Sequence, residues 1–297
     1  MAQEAGYFSK SVKILSPAKL NLYLEVLNKR QDGYHNISTL FERISLSDEI
    51  TIKETSANCI VIKSDSKDIP GDKRNLAYKA AALLKDGLQI KKGVVIEIKK
   101  RIPVGAGLGG GSSNAASVLL GLKNLWNLKL SQKKLFEYGS YLGSDVAFFL
   151  SGASFAIGSG RGEKIKPLAH FKKKFWHVIV VPDIMVSTRR IYRKLDNLRR
   201  KGALNKTAGI SIRQLSKGQD VSLGKIIFNR LEEATFKRYP KVKELKEALL
   251  KRGVQNTAMS GSGGAVFGVV NSRKEGIKML RSFKQDKDTV AFVVRTL

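Results

Sequence analysis

Residues 103–116 read Pro103-Val104-Gly105-Ala106-Gly107-Leu108-Gly109-Gly110-Gly111-Ser112-Ser113-Asn114-Ala115-Ala116, with five glycines inside seven positions. A loop without Cβ atoms lets backbone N–H groups come close to an anion. The start of a helix adds unpaired N–H groups and the positive end of a dipole, and the two together suit phosphate. Gly105, Gly107 and Gly110 fit G-x-G-x-x-G. A dinucleotide fold would want an acidic residue about 20 positions further on, where this chain has Asn127-Leu128-Lys129-Leu130-Ser131. No lysine follows the glycines, which excludes a Walker A loop, and neither H-R-D nor D-F-G of the protein kinases occurs. Other residues of chemical interest are scattered. Lys19 and Asn21 share one face of an alternating segment, Tyr34-His35 follows the turn Gln31-Asp32-Gly33, and Asp145 stands alone among apolar residues after Gly143. By type alone Asp145 equally suits a helix N-cap.

The elements that must position these residues follow from periodicity. Val94 to Ile98 is rich in β-branched residues and predicts a strand before the glycines. Ala115, Val118, Leu119, Leu122, Leu125 and Trp126 recur at helical spacing after them, with a serine expected as N-cap. Val12 to Lys29 predicts a strand broken at Ser16-Pro17, with Leu20, Leu22, Leu24 and Val26 on one face and Lys19, Asn21, Tyr23 and Glu25 on the other. Strands are expected over 44–54, 59–63, 153–157, 176–181 and 289–295, with Cys59 buried in the second of these. Helices are expected from Asn75, Ser131 and Ser187 as caps, and over 223–236, 241–252 and 274–284. Residues 199–209 are basic and lack periodicity, which predicts a mobile loop. A second glycine loop, Ser260-Gly261-Ser262-Gly263-Gly264, lies between two strands.

Composition sets bounds. The chain has 42% hydrophobic and 27% charged residues, ordinary for a globular protein large enough for two domains. One cysteine excludes an internal disulfide and fits a reducing cytoplasm. The N-terminus lacks the apolar segment of a signal peptide, and no run approaches the ~18 apolar residues of a membrane span. His35, His170 and His177 form no zinc-like spacing. The net charge of +29 is concentrated beyond residue 162, which carries +20 of it. Such an excess favours polyanions without choosing among them.

The pattern Pro-x-x-x-Gly-Leu-Gly-[GS]-x-Ser-Ser-x-Ala-Ala resembles the phosphate loop of the GHMP kinases. The segments Ser16-Pro17-Ala18-Lys19-Leu20-Asn21-Leu22, Asp32-Gly33-Tyr34-His35, Gly143-Ser144-Asp145-Val146-Ala147-Phe148-Phe149 and 260–264 resemble further motifs of that family. The Tyr-His pair is similar to the branch that acts on a cytidine-diphosphate alcohol. Ser144 and Ala147 depart from the usual alanine and proline there, which bears on loop stiffness.

The resemblance implies an α+β, two-domain GHMP kinase fold of mixed and antiparallel sheets packed with helices, with the active-site cleft between domains. It implies an ATP-binding N-terminal domain over 1–162 and a substrate domain over 163–297. ATP with Mg²⁺ would bind along residues 103–113, with Ser112 or Ser113 near phosphate or metal. The metal ligands are otherwise open. Lys19 and Asp145 would be catalytic, with Lys19 neutralising developing charge and Asp145 taking the proton of the acceptor hydroxyl. Asn21, Tyr34, His35 and Tyr192 would bind substrate, the aromatic residues by holding cytosine. The implied reaction is ATP-dependent phosphorylation of the 2-hydroxyl of a diphosphocytidyl-methylerythritol in isoprenoid synthesis, by a cytoplasmic monomer or weak homodimer. A homoserine- or mevalonate-type kinase is the alternative within the fold. A basic nucleic-acid-binding protein is the alternative outside it, although no aromatic-interleaved RNA motif is present and no specific nucleic-acid partner is expected.

Overall fold

The computed structural model describes residues 10–202, 212–219, 221–283 and 288–297. In chain order these form β1 (Ser11–Lys29), β2 (His35–Thr55), β3 (Ile60–Ser64), α1 (Leu76–Gly87), β4 (Gly93–Lys99), α2 (Gly110–Leu125), α3 (Gln132–Leu142), α4 (Val146–Leu150), β5 (Phe155–Ser159) and β6 (Lys164–Pro167). The second half continues with β7 (Trp176–Pro182), α5 (Thr188–Arg200), α6 (Ile212–Ser216), α7 (Leu223–Ile226), β8 (Phe228–Asn229), α8 (Glu232–Arg238), α9 (Pro240–Lys251), β9 (Thr257–Met259), β10 (Val266–Val270), α10 (Arg273–Phe283) and β11 (Thr289–Arg295). The composition is α+β, as expected. The chain divides into two compact units that interleave in sequence. One comprises Met1–Ala18, Ser47–Val104 and Gly109–Gly152; the other comprises Lys19–Leu46, Gly105–Leu108 and Ala153–Leu297.

In the first unit, Glu49–Thr55 of β2 pairs antiparallel with β4, and β3 joins β4 in parallel. Ile50, Ile52, Val94, Ile96 and Ile98 are buried, and β-branched side chains suit such a half-covered pleated surface. The side chain of Asn75 accepts from the N–H of Ala77 and starts α1, which buries Ala77, Ala80, Ala81 and Leu84. Helix α2 comes unusually close to the strands at Gly121, where a Cβ would lie 2.6 Å from the Cδ1 atoms of Ile14 and Ile52. That approach fixes the height at which α2 begins. The carboxylate of Asp48, fully buried, accepts from the N–H groups of Arg101 and Ile102 at 2.7 and 2.8 Å and from the Lys100 ammonium at 2.8 Å. It holds the chain that enters the glycine loop.

In the second unit, four antiparallel strands run in the order β11-β7-β10-β9. The run His177–Pro182 of β7 is buried throughout. Ile191, Leu195 and Leu198 of α5 pack in one cluster with Leu24, Val26, Ile37, Val178 and Val180. Thr39–Glu42 of β2 pairs with β5, which forms a hairpin with β6, and β8 lies parallel to Tyr23-Leu24 of β1. The turn joining β5 to β6 spans 160–163.

Several expectations need correction. Strand β1 is continuous through Ser16-Pro17: proline's φ is compatible with extended backbone and costs only one ladder donor. The face carrying Lys19, Asn21, Tyr23 and Glu25 is buried. Cys59 is exposed and precedes β3. The helix expected over 223–236 is interrupted by β8, because the Asn229 amide donates to two carbonyls of the 259–261 segment and Phe228 pairs with β1. Strand β6 and helix α6 carried too little periodicity to be seen. In the expected loop over 199–209, Arg199 and Arg200 end α5, and 203–209 lies outside the described residues. Residue 284 of the last expected helix also lies outside them.

Candidate active site

The helix after the glycines starts earlier than a serine cap would place it. Its N-cap is Gly109, left-handed at φ 73°, and its first helical bond runs from the Ser113 N–H to the Gly109 carbonyl at 2.9 Å. The N–H groups of Gly110, Gly111 and Ser112 therefore precede the helical ladder, the arrangement that suits an anion. Ser113 is not a cap. It is buried, and its hydroxyl lies 2.8 Å from that of Ser16, which donates to Asn114 Oδ1 at 2.9 Å. Ser112 is partly exposed. Within the same unit a Cβ on Gly143 would lie 3.9 Å from the Ser112 hydroxyl, so the turn carrying Asp145 adjoins the helix start. Asp145 immediately precedes α4, but its side chain makes no capping hydrogen bond, and it is half-buried. Capping does not account for it. Pro103 and Val104 complete this unit's share of the predicted loop.

The second unit holds the rest of the loop, Gly105-Ala106-Gly107-Leu108, stitched to two other segments. The Lys19 N–H donates to the Leu108 carbonyl, the Ala265 N–H to the Ala106 carbonyl, and the Ser260 hydroxyl to the Gly107 carbonyl, each at 3.0 Å. Gly107 has φ +79°, and a Cβ there would meet the Ser260 carbonyl oxygen at 2.1 Å, so no other residue fits. Lys19 is 3% exposed; its ammonium donates to Asn21 Oδ1 and sits 5.7 Å from the centre of the Phe41 ring. The Asn21 amide donates in turn to Thr39 Oγ1 at 2.8 Å, and Thr39 donates to the Tyr23 carbonyl at 2.6 Å. This chain of bonds fixes which end of the amide faces the lysine. A Cβ on Gly261 would lie 3.3 Å from the Lys19 ammonium, so the second glycine loop reaches the same spot. Lys19, Asn21, residues 105–108 and residues 260–265 thus converge.

That second loop is held from behind by residues the sequence did not single out. Asn229 donates to the carbonyls of Met259 and Gly261, both at 2.7 Å. Thr235 donates to the Ser262 carbonyl at 3.2 Å, and Glu232 accepts from the Met259 N–H at 2.8 Å. Burial raises the Glu232 carboxyl above its ordinary value, against the opposing pull of Lys246. No local signal marked Asn229, which falls inside the helix expected over 223–236.

The aromatic pair separates into two environments. Tyr34 is 57% exposed, with the Arg161 guanidinium 5.0 Å from its ring centre. His35 begins β2 and is buried; its Nε2 lies 2.7 Å from Asp196 Oδ1, and its ring centre is 5.1 Å from that of Tyr192 at a 34° tilt. The structure thus brings His35 and Tyr192 together. Burial alone would raise the Asp196 carboxyl, but hydrogen bonds and charge from His35 and Lys29 outweigh it and hold the group below its ordinary value.

Residues 75–153 match the family described as GHMP kinases N terminal domain, and residues 211–288 match GHMP kinases C terminal. A 4-diphosphocytidyl-2-C-methyl-D-erythritol kinase of Geobacillus sp. (strain WCH70) is 41% identical over 96% of this chain and 96% of its own. A crystal structure of 4-(cytidine 5'-diphospho)-2C-methyl-D-erythritol kinase superposes with a TM-score of 0.77 at 33% identity, over 95% of this chain and 99% of that one. Homoserine kinase from Cytophaga hutchinsonii shares the fold, with a TM-score of 0.68 over 98% of this chain and 96% of its own, at 20% identity. The two family matches make the chain's class that of the GHMP kinases. Within that class, the chain belongs to the family of 4-diphosphocytidyl-2-C-methyl-D-erythritol kinases.

Proposed function

We propose that the protein phosphorylates the 2-hydroxyl of 4-diphosphocytidyl-2-C-methyl-D-erythritol with ATP, in the non-mevalonate route to isoprenoid precursors. The observation that carries this reading is the juxtaposition of the buried Lys19–Asn21 pair with the two glycine loops, beside likeness to the diphosphocytidyl kinases along nearly the whole chain. Residues 103–113 hold the nucleotide phosphates through backbone N–H groups, and the left-handed Gly109 that opens the helix with unpaired N–H groups fits that use. ATP supplies the phosphoryl group. Among the described residues no cluster of three or more His, Cys, Asp or Glu side chains could hold a metal ion. Ser112, partly exposed at the helix start, would offer Mg²⁺ an oxygen ligand, and the ion would supply neutralisation of phosphate charge.

Asp145 accepts the proton of the acceptor hydroxyl as general base. Lys19 offsets charge gathering on the oxygens in the transition state. Asn21 aims the lysine and touches substrate. Tyr34, His35 and Tyr192 hold the cytosine ring. The division into an ATP-binding region over 1–162 and a substrate region over 163–297 is retained in this proposal, with Tyr34 and His35 counted to the substrate side. We place the enzyme in the cytoplasm as a monomer or weak homodimer. Among the described residues no helix is long and apolar enough to cross a membrane.

A substrate panel tests the reading. ATP consumption with the diphosphocytidyl alcohol should exceed that with mevalonate or homoserine by orders of magnitude. Preference for either of the latter overturns it.

A further inference from the structure

The second unit contains an ion-paired group that none of the roles above uses. Asp196 lies on α5 one turn beyond Tyr192. Its Oδ1 is 2.7 Å from His35 Nε2, and its Oδ2 is 3.2 Å from the Lys29 ammonium. Helix α5 cannot drift, since Ile191, Leu195 and Leu198 are buried against Leu24, Val26 and Ile37 of the strands that carry Lys29 and His35. The carboxylate is held ionised, so it can only accept a hydrogen bond. Nε2 of His35 must then carry the hydrogen. In the neutral ring the lone pair is left on Nδ1, and Nδ1 is an acceptor.

We propose that Asp196, steadied by Lys29, is a positioning residue that fixes the Nε2–H tautomer of His35 and so selects an amino-pyrimidine over an oxo-pyrimidine. The proposal rests on the reading of His35 as a cytosine-binding residue. Cytosine presents its exocyclic amine as a donor to Nδ1. Uracil presents a carbonyl oxygen at that position, and two acceptors would face each other. A site built around one hydrogen-bonding partner rejects the analogue that lacks it far more strongly than an apolar pocket rejects a change of shape. Aromatic stacking on Tyr34 or Tyr192 gives no such choice, because every pyrimidine has a π-face.

The test compares wild type, D196N and H35A, each as the full chain, with the diphosphocytidyl substrate and its uridine counterpart. The side-chain amide introduced by D196N can donate or accept, so it no longer dictates the tautomer. D196N should raise KM for the cytidyl substrate about tenfold, change kcat and the KM for ATP little, and reduce the preference for cytidine over uridine. Nitrogen-15 NMR of the wild type, taken at a pH where the ring is neutral, should show a single Nε2–H tautomer for His35, and D196N a mixture. A merely structural aspartate would move stability but neither discrimination nor the tautomer. If H35A raises KM while D196N keeps both discrimination and the single tautomer, the role of Asp196 is overturned and the cytosine pocket stands. If H35A leaves the cytidyl KM unchanged, the pocket reading fails and the proposal with it.

Discussion

Lys19 is a cation almost wholly removed from water, and such a group costs several kcal/mol unless its donors are met. Asn21 supplies one acceptor, and the bond from Asn21 to Thr39 keeps that acceptor turned toward it. A lysine kept only for packing would not need an amide held in one orientation. Lys19→Met and Asp145→Asn should therefore each lower kcat by about 10²–10⁴ with ATP affinity largely retained, and the double variant should be little worse than either, because residues acting as a unit are not additive. Steady-state kinetics of the three variants checks this, and a near-normal kcat in one single variant removes that residue's role. Tyr34 has Arg161 near its ring and more than half its surface open, and under the proposed function that open ring stacks on cytosine. Tyr34→Ala should weaken binding of the cytidyl substrate by roughly 1–3 kcal/mol and leave ATP affinity alone; calorimetry with both ligands separates that result from misfolding, which would weaken both.

At the level of elements, the site depends on supports that carry no motif. Glu232, at the start of α8, bonds the Met259 N–H and the Lys246 ammonium behind the second glycine loop. Its folded pKa is raised by burial above the ordinary 4.5. The folded state then binds the proton more tightly than the unfolded state, so this group's contribution to stability is complete below the ordinary value and is lost as pH rises through the folded one. The stability of wild type relative to Glu232→Gln should fall across that window; urea unfolding at several pH values measures it, and a flat difference contradicts it. Supports of this kind explain what was readable beforehand. The glycine loop, the Asn75 and Ser131 caps and the strand β7 were visible because local chemistry dictates them: missing Cβ atoms, a side-chain acceptor at N-cap, an unbroken apolar run. Asp48, Asn229 and Asp196 were not, because each acts on a partner far along the chain, the last across 161 positions. The interruption at β8 was hidden for the same reason: a two-residue strand leaves no period, and its pairing with β1 decides it. Cys59 was misread because its apolar neighbours begin a strand one residue later.

Across the whole molecule, the +29 charge is the property least tied to the chemistry. Arg189, Arg190, Arg193 and Lys194 of α5 are all exposed. They come without base-reading motifs, so any affinity for RNA should be indifferent to sequence and fall steeply between ~50 and ~200 mM salt. A filter-binding series checks this, and a sequence-selective complex surviving at ~0.2 M salt contradicts it. Such a field draws in anionic substrates of either kind without deciding what is done to them. Under the proposed function that decision falls to the glycine loops, the buried Lys19 and the residues proposed to hold the pyrimidine. Phosphorus-31 NMR of the product formed from ATP and 4-diphosphocytidyl-2-C-methyl-D-erythritol tests it directly. A new phosphomonoester on the 2-hydroxyl, with the cytidine diphosphate resonances intact, is the predicted result. Phosphate on another hydroxyl, or no product beside ready turnover of mevalonate or homoserine, would contradict it.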